Sequence, residues 1–168
     1  FLLEHGSEYS YDCGRLGLMG CSAGGTLASL YAIGGKQLLR EIGFAGKLAT
    51  PQALVLMYGP FDYRTRPIER RPASDRVAAE ISPAYWLERG DSHCCPPTLG
   101  IHGDRDETVD FSQYAQMRSA YLKHGAQFEG VVAEGFDHSF NPRDVSPEGK
   151  SVDVGPRIVE FLKRHLCV

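Results

Sequence analysis

Arg15-Leu16-Gly17-Leu18-Met19-Gly20-Cys21-Ser22-Ala23-Gly24-Gly25-Thr26-Leu27 is the stretch on which the fold turns. Residues 15–19 form a short apolar run that ends at Gly20, and over residues 22–33 the apolar positions switch to helical spacing through Ala23, Leu27, Leu30 and Tyr31. The run reads as strand, sharp turn and helix. At the turn stands Gly20-Cys21-Ser22-Ala23-Gly24, a G-x-S-x-G pattern in the context that lifts a serine hydroxyl above the ends of parallel strands. Such a turn strains the serine backbone. Gly20 and Gly24 are expected to be glycine because a Cβ at either would collide with the neighbouring chain, and Gly25 is expected to bring helix and strand close. The start of the helix gathers backbone N–H groups and partial positive charge beside Ser22, which places the Ala23 N–H to bind a developing oxyanion.

Outward from this point the chain keeps the same alternation. Gly34 and Gly35 are expected to end the helix, because glycine takes the left-handed conformation common just past a helix C-terminus. Residues 1–9 read as the end of a helix already under way, as in a fragment or a processed chain. Residues 52–58 (QALVLMY) are a nearly continuous apolar run, the profile of a strand buried on both faces of a parallel sheet. From 60 to 97 the sequence turns rich in proline, arginine and aromatics, an excursion off the sheet edge with short helices near 74–80 and 83–87. Strand 98–102, helix 111–124, strand 128–133 and helix 154–166 complete the pattern. Strands alternating with helices of this length predict βαβ units, an open parallel sheet and one domain over residues 1–168.

Composition bounds the function. The chain has 168 residues, 42% hydrophobic and 23% charged, enough for a packed core and against disorder. Its net charge of −3 leaves no electrostatic footprint for nucleic acid, and no stretch approaches the roughly 18 apolar residues of a membrane span. A small-molecule substrate is expected, with no nucleic-acid or membrane partner. Cys13, Cys21, Cys94, Cys95 and Cys167 are an odd number at spacings of neither a disulfide framework nor a zinc site. They read as free thiols, with adjacent Cys94 and Cys95 as small residues before a strand. That weighs toward a reducing, cytoplasmic compartment without excluding secretion.

Two further segments carry chemistry. His102-Gly103-Asp104-Arg105-Asp106-Glu107 follows a strand and precedes a helix, so its carboxylates lie at the strand's C-terminal end, where open α/β sheets bind ligands. Asp106 and Asp104 are both candidate acids on the residues alone. Turn or helix-capping roles are open to Asp104 and Asp110, and His102, inside the strand end, reads as structural. Glu134-Gly135-Phe136-Asp137-His138-Ser139-Phe140 follows the last strand, and His138 in that loop is the candidate general base toward Ser22. His5, His93, His124 and His165 have no such context. Cys21 reads as a small side chain flanking the site, since Ser22 holds the central position. Tyr63, Tyr85 and Trp86 read as packing residues rather than a substrate pocket, and Arg64, Arg66, Arg70, Arg71 and Arg76 as a solvated face.

With these segments in hand the chain resembles the α/β-hydrolase superfamily, in its esterase/lipase branch of hormone-sensitive-lipase-like and feruloyl or acetyl-xylan esterase-like enzymes. The likeness rests on residues 20–28 (GCSAGGTLA), 96–109 (PPTLGIHGDRDETV) and the 135–140 loop, and on Ser82-Pro83-Ala84 with Trp86 before the acid strand. It implies serine, acid and histidine in that order, and by the family pattern it selects Asp106 over Asp104. It implies an ester hydrolase working through an acyl-enzyme, with Ser22, Asp106 and His138 as the triad and no metal or cofactor. A prolyl-oligopeptidase-type peptidase and a non-catalytic hydrolase-fold binding protein are the competing readings. The resemblance also implies that the chain holds only strands five to eight of the fold. The second oxyanion donor, usually on an early loop of the H-G-G-G kind, has no counterpart here. Strand 15–19 would be an exposed apolar edge that upstream sequence or another chain, a second copy included, is expected to cover.

Overall fold

The computed structural model of the chain describes residues 1–90 and 95–167. His93 and Cys94 lie outside the described residues. A short helix α1 (Leu2–His5) and a 3-10 turn (Gly6–Tyr9) lead into strand β1 (Gly17–Cys21). The strand runs two residues past the expected end at 19, because Gly20 and Cys21 stay in parallel register with Leu56 and Met57 of β2 (Ala53–Met57). Between these strands lies α2 (Ala23–Ser29), which passes through a wider π turn (Leu30–Gly34) into α3 (Gly35–Glu41). Gly34 and Gly35 therefore redirect the helix rather than ending it. Gly34 stays right-handed, and the positive φ of 38° falls on Gly35, with the backbone returning to helix beyond it.

The expectation of an excursion off the sheet edge is corrected in the same way. After β2 come α4 (Asp75–Glu80) and α5 (Pro83–Glu88), and the chain then enters β3 (Thr98–Gly103), the direct parallel neighbour of β2. A connection between adjacent interior strands must cross a face of the sheet, and this one does. Trp86 and Leu87 of α5 pack with Leu54 and Leu56 of β2, Leu30 and Ile33 of the π turn, and Met117 and Tyr121 of α6 (Ser112–Lys123). Trp86 is wholly buried, and its Nε1–H donates to the Glu80 carbonyl at 2.9 Å. It is a packing residue.

Strand β4 (Phe128–Ala133) closes a four-stranded parallel sheet of order β1-β2-β3-β4. Alternation along β2 supplies two cores at once. Leu54 and Leu56 face the helices just described, while Ala53, Val55 and Met57 join Leu99, Ile101, Phe136, Phe140, Ile158 and Phe161 on the opposite face. Ile158 and Phe161 come from α7 (Gly155–Leu166), which covers that second face. All five residues of β2 are buried, as a strand with helices on both sides requires. Between β4 and α7 stands an antiparallel hairpin, β5 (Arg143–Val145) with β6 (Ser151–Asp153), which the sequence pattern does not announce.

Candidate active site

Three strand ends deliver the three expected side chains. At the end of β1 the backbone of Ser22 takes φ 51° and ψ −124°, a region that L-residues rarely enter. The turn is held because the Ser22 N–H donates to the Met57 carbonyl at 2.9 Å and the Gly25 N–H donates back to the Ser22 carbonyl at 3.0 Å. Gly20 must be glycine, since a Cβ there would sit inside the backbone of Gly24 and Gly25. Gly25 lies close against Gly20 and Gly59, which is the tight helix-to-strand approach expected of it. Gly24 is different: a Cβ there meets nothing within 4 Å among the described residues, because the position faces outward from the first helical turn. The expected collision is absent at that position.

After β3 the chain makes the loop that carries Asp106. Its Oδ1 accepts the N–H groups of Thr108 at 2.9 Å and Val109 at 2.7 Å. Its Oδ2 accepts from Nδ1 of His138 at 2.7 Å. Because a carboxylate only accepts, Nδ1 carries the hydrogen and leaves Nε2 free to receive. That Nε2 lies 2.9 Å from Ser22 Oγ, so the hydroxyl donates to it. Asp106, His138 and Ser22 thus form a continuous relay across three loops. Burial, the largest influence on the Asp106 side chain, pushes its pKa up. The hydrogen bonds from His102, the Val109 N–H and His138 together outweigh it, and the carboxyl is held below the usual range.

The competitor, Asp104, faces the other way. Its Oδ1 accepts the Gly135 N–H at 2.6 Å and so ties the acid loop to the histidine loop. Asp137, which the sequence reading passed over, makes the reverse tie by accepting the Glu107 N–H at 3.0 Å and the His138 N–H at 2.6 Å. Its only sequence signal is adjacency to His138. Gly103 lets these loops approach, since a Cβ there would overlap the Phe136 carbonyl. Tyr58, also passed over as a strand end, packs its ring edge on His138 at 4.9 Å between centroids, from a backbone with φ 39°. Burial first, then hydrogen bonding to Cys21 and the charge of Asp106, hold its phenol above the ordinary tyrosine value, so it stays protonated. The arginine run is not simply solvated. Arg64 pairs with Asp62 at 2.6 Å and Glu88 at 2.8 Å, while Arg66 at 3.2 Å and Arg70 donate to the Thr108 carbonyl on the outer side of the acid loop. Arg70, Arg71 and Arg76 are exposed, as the expectation of a solvated face has it, although Arg71 donates to the Arg66 carbonyl and Arg76 pairs with Glu80 at 2.6 Å.

A parallel sheet flanked by helices, with a serine on the strained turn after β1 and an aspartate and a histidine in the loops after β3 and β4, is the α/β-hydrolase fold. The chain belongs to the BD-FAE family, whose model matches residues 1–121 and so covers the Ser22 and Asp106 segments. A Yersinia pestis protein provisionally named carboxymethylenebutenolidase is 27% identical over 162 residues, covering 95% of this chain and 50% of its own length. The chain therefore spans about half the length of the curated relative it matches. Among solved structures, a truncated form of a carbohydrate esterase from gut microbiota superposes with a TM-score of 0.73 at 19% identity, covering 99% of this chain and 65% of that one. Esterase B from Lactobacillus rhamnosis gives a TM-score of 0.77 at 16% identity, covering 99% of this chain and 57% of that one. These likenesses establish the fold, a mostly parallel four-stranded sheet with flanking helices.

Proposed function

We propose that the protein carrying this chain is a carboxylic ester hydrolase that works through an acyl-enzyme on Ser22. The observation that carries the reading is the relay itself, 2.7 Å from Asp106 to His138 and 2.9 Å from His138 to Ser22. His138 Nε2 takes the Ser22 proton as Oγ attacks the ester carbonyl carbon. The Ala23 N–H, at the first residue of α2, donates to the oxyanion that forms. Collapse of the intermediate breaks the bond to the alcohol, which leaves with the proton from His138. Water, deprotonated by the same nitrogen, then releases the acyl group and restores the serine. Asp106 keeps the imidazole in the tautomer with hydrogen on Nδ1 and stabilises the imidazolium. Names of esterases among the structural relatives support the same reaction class. A second oxyanion donor, in this reading, comes from a part of the whole protein beyond residues 1–168, and that part or another chain pairs with the free edge of β1.

A fluorophosphonate probe applied to the full-length protein tests this directly. Labelling is expected on Ser22 and is expected to vanish in Ser22→Ala, and short-acyl and aryl esters are expected to be cleaved in preference to proline-containing peptides. Labelling that survives Ser22→Ala would overturn the assignment, and preferential peptide cleavage would replace the ester by an amide.

A further inference from the structure

Asp106 is approached by a second histidine. His102, on β3, is 1% exposed, and its Nε2 lies 2.8 Å from the Val109 carbonyl and 3.2 Å from Asp106 Oδ2. A carbonyl and a carboxylate only accept, so the Nε2 carries a hydrogen and shares it between the two. That same Oδ2 takes the Nδ1–H of His138. We propose that His102 is a positioning residue for the relay: its N–H draws off part of the charge on Asp106 Oδ2 and thereby limits how tightly Asp106 holds the imidazolium of His138. The inference rests on the hydrolase reading above and concerns how that site is tuned.

The surroundings leave the carboxylate little else to lean on. The Asp106 side chain is fully enclosed, and its other oxygen is taken up by the Thr108 and Val109 N–H groups. The rings of Phe111, at 5.9 Å, and Tyr114, at 6.2 Å, flank the imidazole of His102 and fix its plane. The titratable groups around the pair are Asp110 and Tyr114 from the α6 side, Tyr58 from the end of β2, and His138 itself. Arg66 and Arg70 donate to the Thr108 and Glu107 carbonyls on the outer side of the loop. None of these replaces the His102 donor if it is removed. The sign follows. With one donor fewer, negative charge concentrates on Oδ2, the protonated form of His138 is favoured, and its titration midpoint moves to higher pH.

The test uses the full-length protein and three variants. His102→Phe keeps a ring and removes the N–H. His102→Asn keeps polarity with an amide too short to reach Oδ2, and serves if the phenylalanine variant does not fold. His102→Gln returns an amide N–H near the position of Nε2. The acid limb of kcat/KM for a short-acyl aryl ester is expected to move up by about one pH unit in the first two, the scale of one hydrogen bond to a charged group, and to return toward wild type in the third. The same movement is expected without substrate, as the titration midpoint of the His138 ring resonances by NMR. A merely structural His102 would lower the thermal midpoint and leave both profiles in place, and that result, or an equal shift in all three variants, would overturn the proposal. If the NMR midpoint moves as expected while neither the wild type nor any variant hydrolyses esters, the positioning stands and the hydrolase reading falls.

Discussion

Asp106 gathers more donors than any other side chain of the site, and its folded-state pKa is held low by them despite burial. A carboxyl depressed in the folded state stabilises the fold above its unfolded value, about 3.9 for aspartate, and loses that contribution as pH falls through the folded value. The thermal midpoint of the wild type should therefore exceed that of Asp106→Asn at neutral pH, with the gap closing as pH is lowered below about 4. A gap that stays constant over that range would show that the charge of Asp106 adds nothing to stability. Turnover should fall by roughly 10,000-fold in the same variant at neutral pH, since an asparagine no longer selects the Nδ1–H tautomer. Ser22 and His138 were legible in the sequence because each occupies a turn or loop with glycine at a strand end. Asp106 and Asp104 were not separable on residues alone, because both lie in one loop and only its winding decides which points to His138. Asp137 and Tyr58 carried no usable signal, because their roles come from contacts across 30 and 80 residues of chain, and His102 meets Asp106 only because the loop after β3 folds back over the strand end, which spacing does not encode.

Elements were read from periodicity, and they came out well where periodicity and burial agree. Strands β2, β3 and β4 lie within a residue of their expected limits because each is a short, mostly apolar run set off by turn or loop residues. Where glycine stands at the end of an element the reading slips. Gly20 hid the last two residues of β1, and Gly34-Gly35 suggested an end where the helix only widens and turns. The β5–β6 hairpin was missed because its three-residue strands are too short for alternation to show. The α4–α5 connection was placed off the sheet because its prolines and arginines suggested surface, yet Trp86 anchors it over the sheet. Trp86 is fully buried among core residues of β2, α6 and the π turn. Trp86→Ala should cost roughly 3–5 kcal/mol. Urea denaturation should show that loss as a lower midpoint with an unchanged slope, whereas a loss under about 1 kcal/mol would mean that α5 is not part of the core.

Across the molecule, the two edges of the sheet are treated differently. On β4, Glu129 is paired with Arg157 at 2.9 Å and Arg164 at 2.8 Å, both from α7, so charge guards that margin. The β1 margin has no such guard among the described residues: Met19 is 48% exposed and Leu27 67% exposed, with Cys21 and Ala23 open beside them. A parallel sheet is ordinarily covered, and an apolar edge with unpaired backbone groups is a template for another strand. We expect residues 1–168 alone to self-associate through β1, giving a sedimentation profile that grows heavier with concentration. Met19→Lys should lighten that profile without altering the far-UV circular dichroism, by setting a charge on the free edge. Supplying the rest of the whole protein in the same chain should abolish the association and, by adding the second oxyanion donor, raise turnover by roughly 100- to 1,000-fold. A monomer at every concentration with the full activity of the longer protein would defeat both expectations at once, because it would show β1 to be a finished edge and Ala23 a sufficient donor.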